Sequence, residues 1–143
     1  MKRFLPALLI AAAALPAFAQ GPTVWEHDLE AAKARAKREH KQIFMDIYTD
    51  WCGWCTKMRN ETFPTPEAQV ALQKFVPLSV CTQLKDGTPT ANKPLEKHFG
   101  VQGFPSLYIL DENGNTVRSL ASYLPPKEFS QFLDGTLDTS KMN

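Results

Sequence analysis

The sequence has almost no net charge: 16 Lys and Arg against 15 Asp and Glu leave +1 over 143 residues. That balance, with no basic run interleaved with aromatic residues, argues against nucleic acid or an anionic lipid surface as an electrostatic partner. Cysteine is also sparse. Three in the whole chain exclude a disulfide-dense scaffold. There is no second closely spaced cysteine pair, and His27, His40 and His98 fall at irregular spacing, so the four ligands of a structural zinc site are not provided. Internal repeats and low-complexity linkers are missing. The length suits one ordinary domain, and 43% hydrophobic with 22% charged residues is a globular composition.

The one long apolar stretch is at the start, MKRFLPALLIAAAALPAFAQ. Lys2 and Arg3 make a positive n-region, residues 4–15 an apolar h-region, and Ala17-Phe18-Ala19 supplies the small residues of a signal-peptidase site. The h-region is shorter than the roughly 20 apolar residues that span a bilayer. Residues 1–19 therefore read as a cleaved secretory signal and residues 20–143 as the mature domain, with the periplasm as destination and no stable membrane association. No cysteine stands at the cleavage site for lipid attachment. In an oxidising compartment thiols close into disulfides unless something keeps them reduced.

Two of the cysteines form the run Trp51-Cys52-Gly53-Trp54-Cys55. Covalent haem would need His after the second cysteine, and Thr56 stands there. A structural disulfide across so short a loop adds little stability. Disulfide exchange remains, and it gives the spacing a purpose. A cysteine in the first helical turn meets unsatisfied N–H groups that favour thiolate, and a second one turn later can resolve a mixed disulfide.

Around this run the chain alternates strand and helix. Residues 28–41 read as a helix with Asp28 as N-cap. Residues 42–48 (QIFMDIY) read as a buried strand leading directly into the cysteines. A helix follows from Cys52 towards Pro64 and Pro66, and another over 66–74. Residues 75–82 read as a strand, which Pro77 places towards a sheet edge. A helix over 91–99 stops at Gly100. Strands 106–111 and 116–122 flank Asn113-Gly114 as a hairpin, and a last helix covers 126–137. The fold class is α/β: a mixed sheet flanked by helices, with a C-terminal hairpin and helix.

These features resemble the thioredoxin superfamily over roughly residues 42–137. The likeness rests on the CxxC with Trp51 before it, on Asp46 six residues upstream, and on Phe104-Pro105-Ser106 where that family keeps a cis-proline. Ser122-Tyr123-Leu124 followed by Glu128-Phe129 is similar to the C-terminal domain of DsbD-type reductases. The resemblance implies a thioredoxin fold, and Cys52 and Cys55 as the redox-active disulfide. It implies Asp46 as a buried carboxylate handling the resolving cysteine's proton, and Pro105 with Phe104, Trp51 and Trp54 as the surface that docks substrate. Trp54 is expected on the surface and Trp51 partly buried. Three positions depart from the pattern: Ser122 replaces a glycine, Pro77 a lysine and Cys81 an aspartate. Cys81 is read as an inert half-core thiol, with a third redox role as its alternative.

The expected function is a periplasmic thiol:disulfide oxidoreductase that reduces protein disulfides without metal or organic cofactor. A membrane thiol donor of the DsbD type would recycle it. Gly53-Trp54 carries no charge or histidine to hold the Cys52 thiolate strongly, which argues for a reducing pair. Oxidase or isomerase activity on the same fold, and copper or zinc delivery through the two thiols, are the alternatives.

Overall fold

The computed structural model describes residues 21–142; the expected signal segment, residues 1–19, lies outside them. Helix α1 (Leu29–Glu39) starts where the Asp28 carboxylate accepts the Ala31 N–H and ends at His40 in a left-handed conformation. Strand β1 (Gln42–Thr49) follows, then α2 (Gly53–Lys57). A π-helical turn (Met58–Thr62) continues α2. Helix α3 (Pro66–Leu72) begins with proline at its first turn, capped by Thr65. Strand β2 (Phe75–Gln83), α4 (Pro94–Phe99), β3 (Ser106–Leu110), β4 (Thr116–Leu120) and α5 (Pro126–Asp134) complete the fold, with a short 3-10 turn (Thr139–Lys141) at the end.

The sheet order is β2-β1-β3-β4, with β1 parallel to β2 and antiparallel to β3, and β3 antiparallel to β4. This is the mixed sheet that the sequence implies. Pro77 lies in β2, the edge strand. The Glu26 N–H donates to the Pro77 carbonyl from the outer side, so the proline nitrogen faces away from β1 and removes no ladder bond there. Helix α4 is shorter than the expected 91–99, because Pro94 takes its first turn. The hairpin loop is longer than a two-residue turn. Gly114 has φ 90°, while the Asp111 carboxylate accepts the N–H groups of Asn113 and Asn115.

Strand alternation sends β1 side chains to two separate cores. Ile43, Met45 and Ile47 pack with Val76, Leu78, Val80 and the α1 alanines Ala32 and Ala36. Phe44 points the other way, among Met58, Phe63, Leu72, Leu107, Phe129 and Phe132. Its ring meets Phe129 edge-on at 5.1 Å and Phe63 at 5.9 Å. Helices thus cover β1 on both faces. Thr62 ties the π-helical turn to the chain before α5 through a 2.7 Å bond from its hydroxyl to the Leu124 carbonyl.

Phe129 is fully buried within this aromatic cluster. Phe129→Ala is expected to lower unfolding free energy by about 3–5 kcal/mol in urea titration, a loss of transfer energy plus a cavity that the rings cannot close. A loss under about 1 kcal/mol would contradict this packing.

Candidate functional site

Strand β1 and the turn after it place the two cysteines. The Cys52 N–H donates to the Thr49 carbonyl at 3.2 Å, which carries the chain off the sheet end and into α2. Cys52 occupies the N-cap with extended backbone, φ −80° and ψ 111°. Its Sγ accepts the Cys55 N–H at 3.1 Å. The sulfur therefore does the work that a serine or aspartate oxygen does at other helix starts. Cys52 and Cys55 are joined as a disulfide, with Cα atoms 5.3 Å apart. Of the two, Cys52 keeps the greater exposure, 6% against 1%, so a partner approaching from solvent reaches it first. On reduction, the N–H aimed at Cys52 favours its thiolate.

Asp46 lies beneath the pair on β1. Both faces of β1 are covered, and Asp46 is 1% exposed. Alternation puts it on the Phe44 and Tyr48 face, the side covered by α2 and its continuation. Its neighbours across the sheet are Ser79 on β2 and Leu107 on β3. Oδ1 has no hydrogen-bond partner. Burial raises the carboxyl pKa to about 7, against a smaller lowering by Arg59. A group poised there exchanges protons near neutrality.

An aromatic surface surrounds the disulfide. The Phe104–Pro105 peptide bond is cis, and Pro105 is buried beside half-buried Phe104. The Trp51 ring meets Phe104 at 5.7 Å, nearly perpendicular, and its indole N–H donates to the Gln83 side-chain oxygen at 2.9 Å. Partial burial was expected of Trp51; instead it is 51% exposed, close to the 58% of Trp54. The reason is local: β1 ends at Thr49, and the turn to Cys52 carries Trp51 over the sheet edge, where Phe104 and Gln83 support it from one side only. Trp54 rests against Tyr123 at 5.4 Å, and the Lys57 ammonium stands 5.3 Å from the Trp54 ring and 5.1 Å from that of Tyr123. Trp54, Phe104, Ala121, Ser122 and Tyr123 line a groove of about 380 Å³.

The structure thus sets Cys52, Cys55, Trp51, Trp54, Phe104 and Pro105 about the end of β1, with Asp46 further back within that strand. Cys81 stands apart from the disulfide as a free, half-buried thiol. Its Sγ donates to the Gln83 carbonyl at 3.2 Å, and burial, then Asp50, pushes its pKa up. Sequence reasoning missed Arg59. It follows Cys55 by four residues, so helical spacing puts it on the same inward side. Tyr123 was visible only as part of a weak likeness; its contact with Trp54 needed the tertiary structure. Among the described residues no three His, Cys, Asp or Glu side chains gather as a metal site, and no helix is long and apolar enough to cross a membrane.

A sheet of this order, whose central strand hands the chain to a cysteine pair closing in the first turn of the next helix, is the architecture of thioredoxin-fold thiol:disulfide oxidoreductases. The chain belongs to the thioredoxin-like domain family, whose model matches residues 29–136. It is similar to the thiol:disulfide interchange protein DsbD of Haemophilus ducreyi, 30% identical over 96 residues, which is 66% of this chain and 16% of that protein. DsbD of Cronobacter sakazakii is 35% identical over 90 residues, 63% of this chain and 15% of the relative. The chain therefore spans only a small part of these relatives. Among solved structures, the oxidised C-terminal domain of Neisseria meningitidis DsbD superposes with a TM-score of 0.63 at 25% identity, covering 79% of this chain and 99% of that one. A DsbH oxidoreductase shares the fold with a TM-score of 0.69 at 20% identity, over 89% and 92% of the two chains.

The buried carboxyl has a consequence for stability. Native Asp46 keeps its proton to about pH 7, whereas in the unfolded chain it ionises near pH 4. Between these values the native state binds more protons, so stability falls as pH rises, and the whole cost is present above pH 7. A difference of about three pH units corresponds to about 4 kcal/mol. Asp46→Asn is therefore expected to gain on the parent protein by up to about 4 kcal/mol between pH 4 and pH 8 in urea unfolding. A stability difference independent of pH would contradict the buried carboxyl.

Proposed function

We propose that this protein is an exported thiol:disulfide reductase, freed of residues 1–19 and working in the periplasm. The observation that carries the reading is the N-capping Cys52 sulfur, 3.1 Å from the Cys55 N–H, with the buried Asp46 carboxyl behind the pair. In the reduced enzyme the Cys52 thiolate attacks one sulfur of a substrate disulfide. A Cys52–substrate bond forms, the substrate S–S bond breaks, and the other substrate sulfur leaves as thiolate. Cys55 then passes its proton to the Asp46 carboxylate and attacks Cys52. The second substrate thiolate leaves, and the Cys52–Cys55 disulfide closes. Two electrons have moved from the enzyme to the substrate.

The substrate's backbone lies along the cis-proline loop at Phe104–Pro105, and its side chains rest on Trp51, Trp54 and Tyr123. The reductive direction is supported by the neutral Gly53-Trp54 dipeptide, which leaves the thiolate without a charged partner inside the motif. Each turnover leaves the enzyme oxidised, so a thiol donor must restore it. A membrane donor of the DsbD type fits the likeness to DsbD proteins. No cofactor enters the cycle. Among the described residues, copper or zinc delivery would have the two thiols and no larger ligand cluster to use.

Cys55→Ser removes the resolving thiol and leaves Cys52 free to attack. Expressed as the full chain and quenched with acid, it is expected to accumulate mixed disulfides through Cys52, seen on non-reducing gels and mapped by mass spectrometry. The double variant Cys52→Ser, Cys55→Ser should show none, and both should lose insulin-disulfide reduction. Absence of adducts, with stoichiometric copper or zinc binding by the reduced parent protein, would favour metal delivery instead.

A further inference from the structure

A cavity of about 430 Å³ opens behind the redox helix, lined by Trp25, His27, Tyr48, Arg59, Phe63 and Ser79 among others. It lies on the sheet face that carries Asp46. Tyr48 is two residues along β1 on the same side, and Ser79 is the β2 residue in register with Asp46. The Arg59 guanidinium reaches into this region from the π-helical turn, 4.3 Å from the centre of the Tyr48 ring. One terminal nitrogen donates to the Thr56 hydroxyl at 3.3 Å. The other, Nη1, is buried without a partner, as is Oδ1 of Asp46. A cation and a carboxyl, each with an unused hydrogen-bonding atom, thus share one sheet face.

We propose that Arg59 is a positioning residue for the disulfide chemistry: held over Tyr48, its guanidinium keeps Asp46 able to become a carboxylate when Cys55 must give up its proton. The assignment rests on the reading of Asp46 as that proton acceptor. Burial alone drives the carboxyl towards its neutral form, and the nearby positive charge opposes it. Among the described residues, no other group around this face adds positive charge at Asp46. Tyr48 is a phenol whose pKa burial raises further, and Cys81 on β2 is a thiol also shifted up by burial. Asp50, past the end of β1, adds negative charge beside them. His27 is exposed on the segment before α1, with Nδ1 3.0 Å from the Ser79 carbonyl. On β3 the neighbour is Leu107, and the helix contributes Met58, also apolar. Among the described residues, Arg59 is the one cation that acts on Asp46. Its place over an aromatic ring holds it there without a salt bridge, which would lock the carboxylate in the charged state.

The test follows the Asp46 carboxyl carbon by NMR as pH is raised, in the oxidised protein and in Arg59→Met, Arg59→Gln and Arg59→Lys. Removing the charge should move the Asp46 titration up by about one pH unit, and Arg59→Lys should recover at least half of that shift. Arg59→Gln keeps a hydrogen-bonding side chain and serves if the methionine variant folds poorly. In insulin reduction, the rising limb of kcat/KM against pH should move alkaline by the same amount. That is roughly a tenfold loss near pH 6.5 that vanishes by pH 9. An unmoved Asp46 titration, with activity lost equally at every pH, would overturn the proposal. A moved titration with an unmoved rate profile would uphold Arg59's hold on Asp46 and remove Asp46 from the proton-transfer step.

Discussion

An ionisable carboxyl in the middle of the central strand, covered on both faces, is the constraint around which this molecule is arranged. Strand β1 cannot turn Asp46 to water: its two sides pack against α1 on one face and the α2 to α5 aromatic cluster on the other. The same coverage extends to Thr49, itself buried, whose carbonyl accepts the Cys52 N–H at 3.2 Å. The burial that costs stability at neutral pH therefore also gives Asp46 a proton affinity useful there, and it anchors the cysteine turn. A solvated carboxylate would relieve the fold of that cost, but it would ionise near pH 4 and be a poor acceptor for a thiol proton.

The helix that bears the disulfide separates two environments. Its outward side carries Trp54 and Lys57 against Tyr123, next to the groove at Phe104 and Ser122. Its inward side carries Cys55, Met58 and Arg59 towards β1. In the proposed cycle the outer side receives a polypeptide through apolar contact and exposed backbone. The inner side handles only a proton. Cys52 is the point where the two meet, at 6% the more exposed of the two cysteines, its sulfur accepting the N–H of Cys55.

Much of this was legible in the sequence because local pattern and tertiary role agree. A single carboxylate inside QIFMDIY, six residues before Cys52, can hardly be an ordinary core residue. Pro77 marks an edge strand by its missing N–H, and Asn113-Gly114 marks the hairpin. Other features depend on contacts that no local pattern carries. Trp51 reads as partly buried, yet the turn after Thr49 takes it past the sheet edge, where Phe104 supports it from one side and half of it stays exposed. Arg59 looks like a solvated helix residue; its four-residue spacing from Cys55 points inward, and the face of Tyr48 beneath it shows what it meets there. The π-helical turn at Met58–Thr62 has no signature in composition; the chain there simply reads as helix. Tyr123 becomes part of the site because Thr62 holds the adjoining Leu124 carbonyl.

The central claim is that this disulfide belongs to an electron donor to substrates. The equilibrium reduction potential of the Cys52–Cys55 pair, measured against defined thiol buffers, tests it most directly. A value close to that of thioredoxin, about −270 mV, is predicted for a neutral Gly53-Trp54 motif with a singly capped thiolate. A value close to that of the strong oxidant DsbA, about −120 mV, would contradict it and make the protein a disulfide donor.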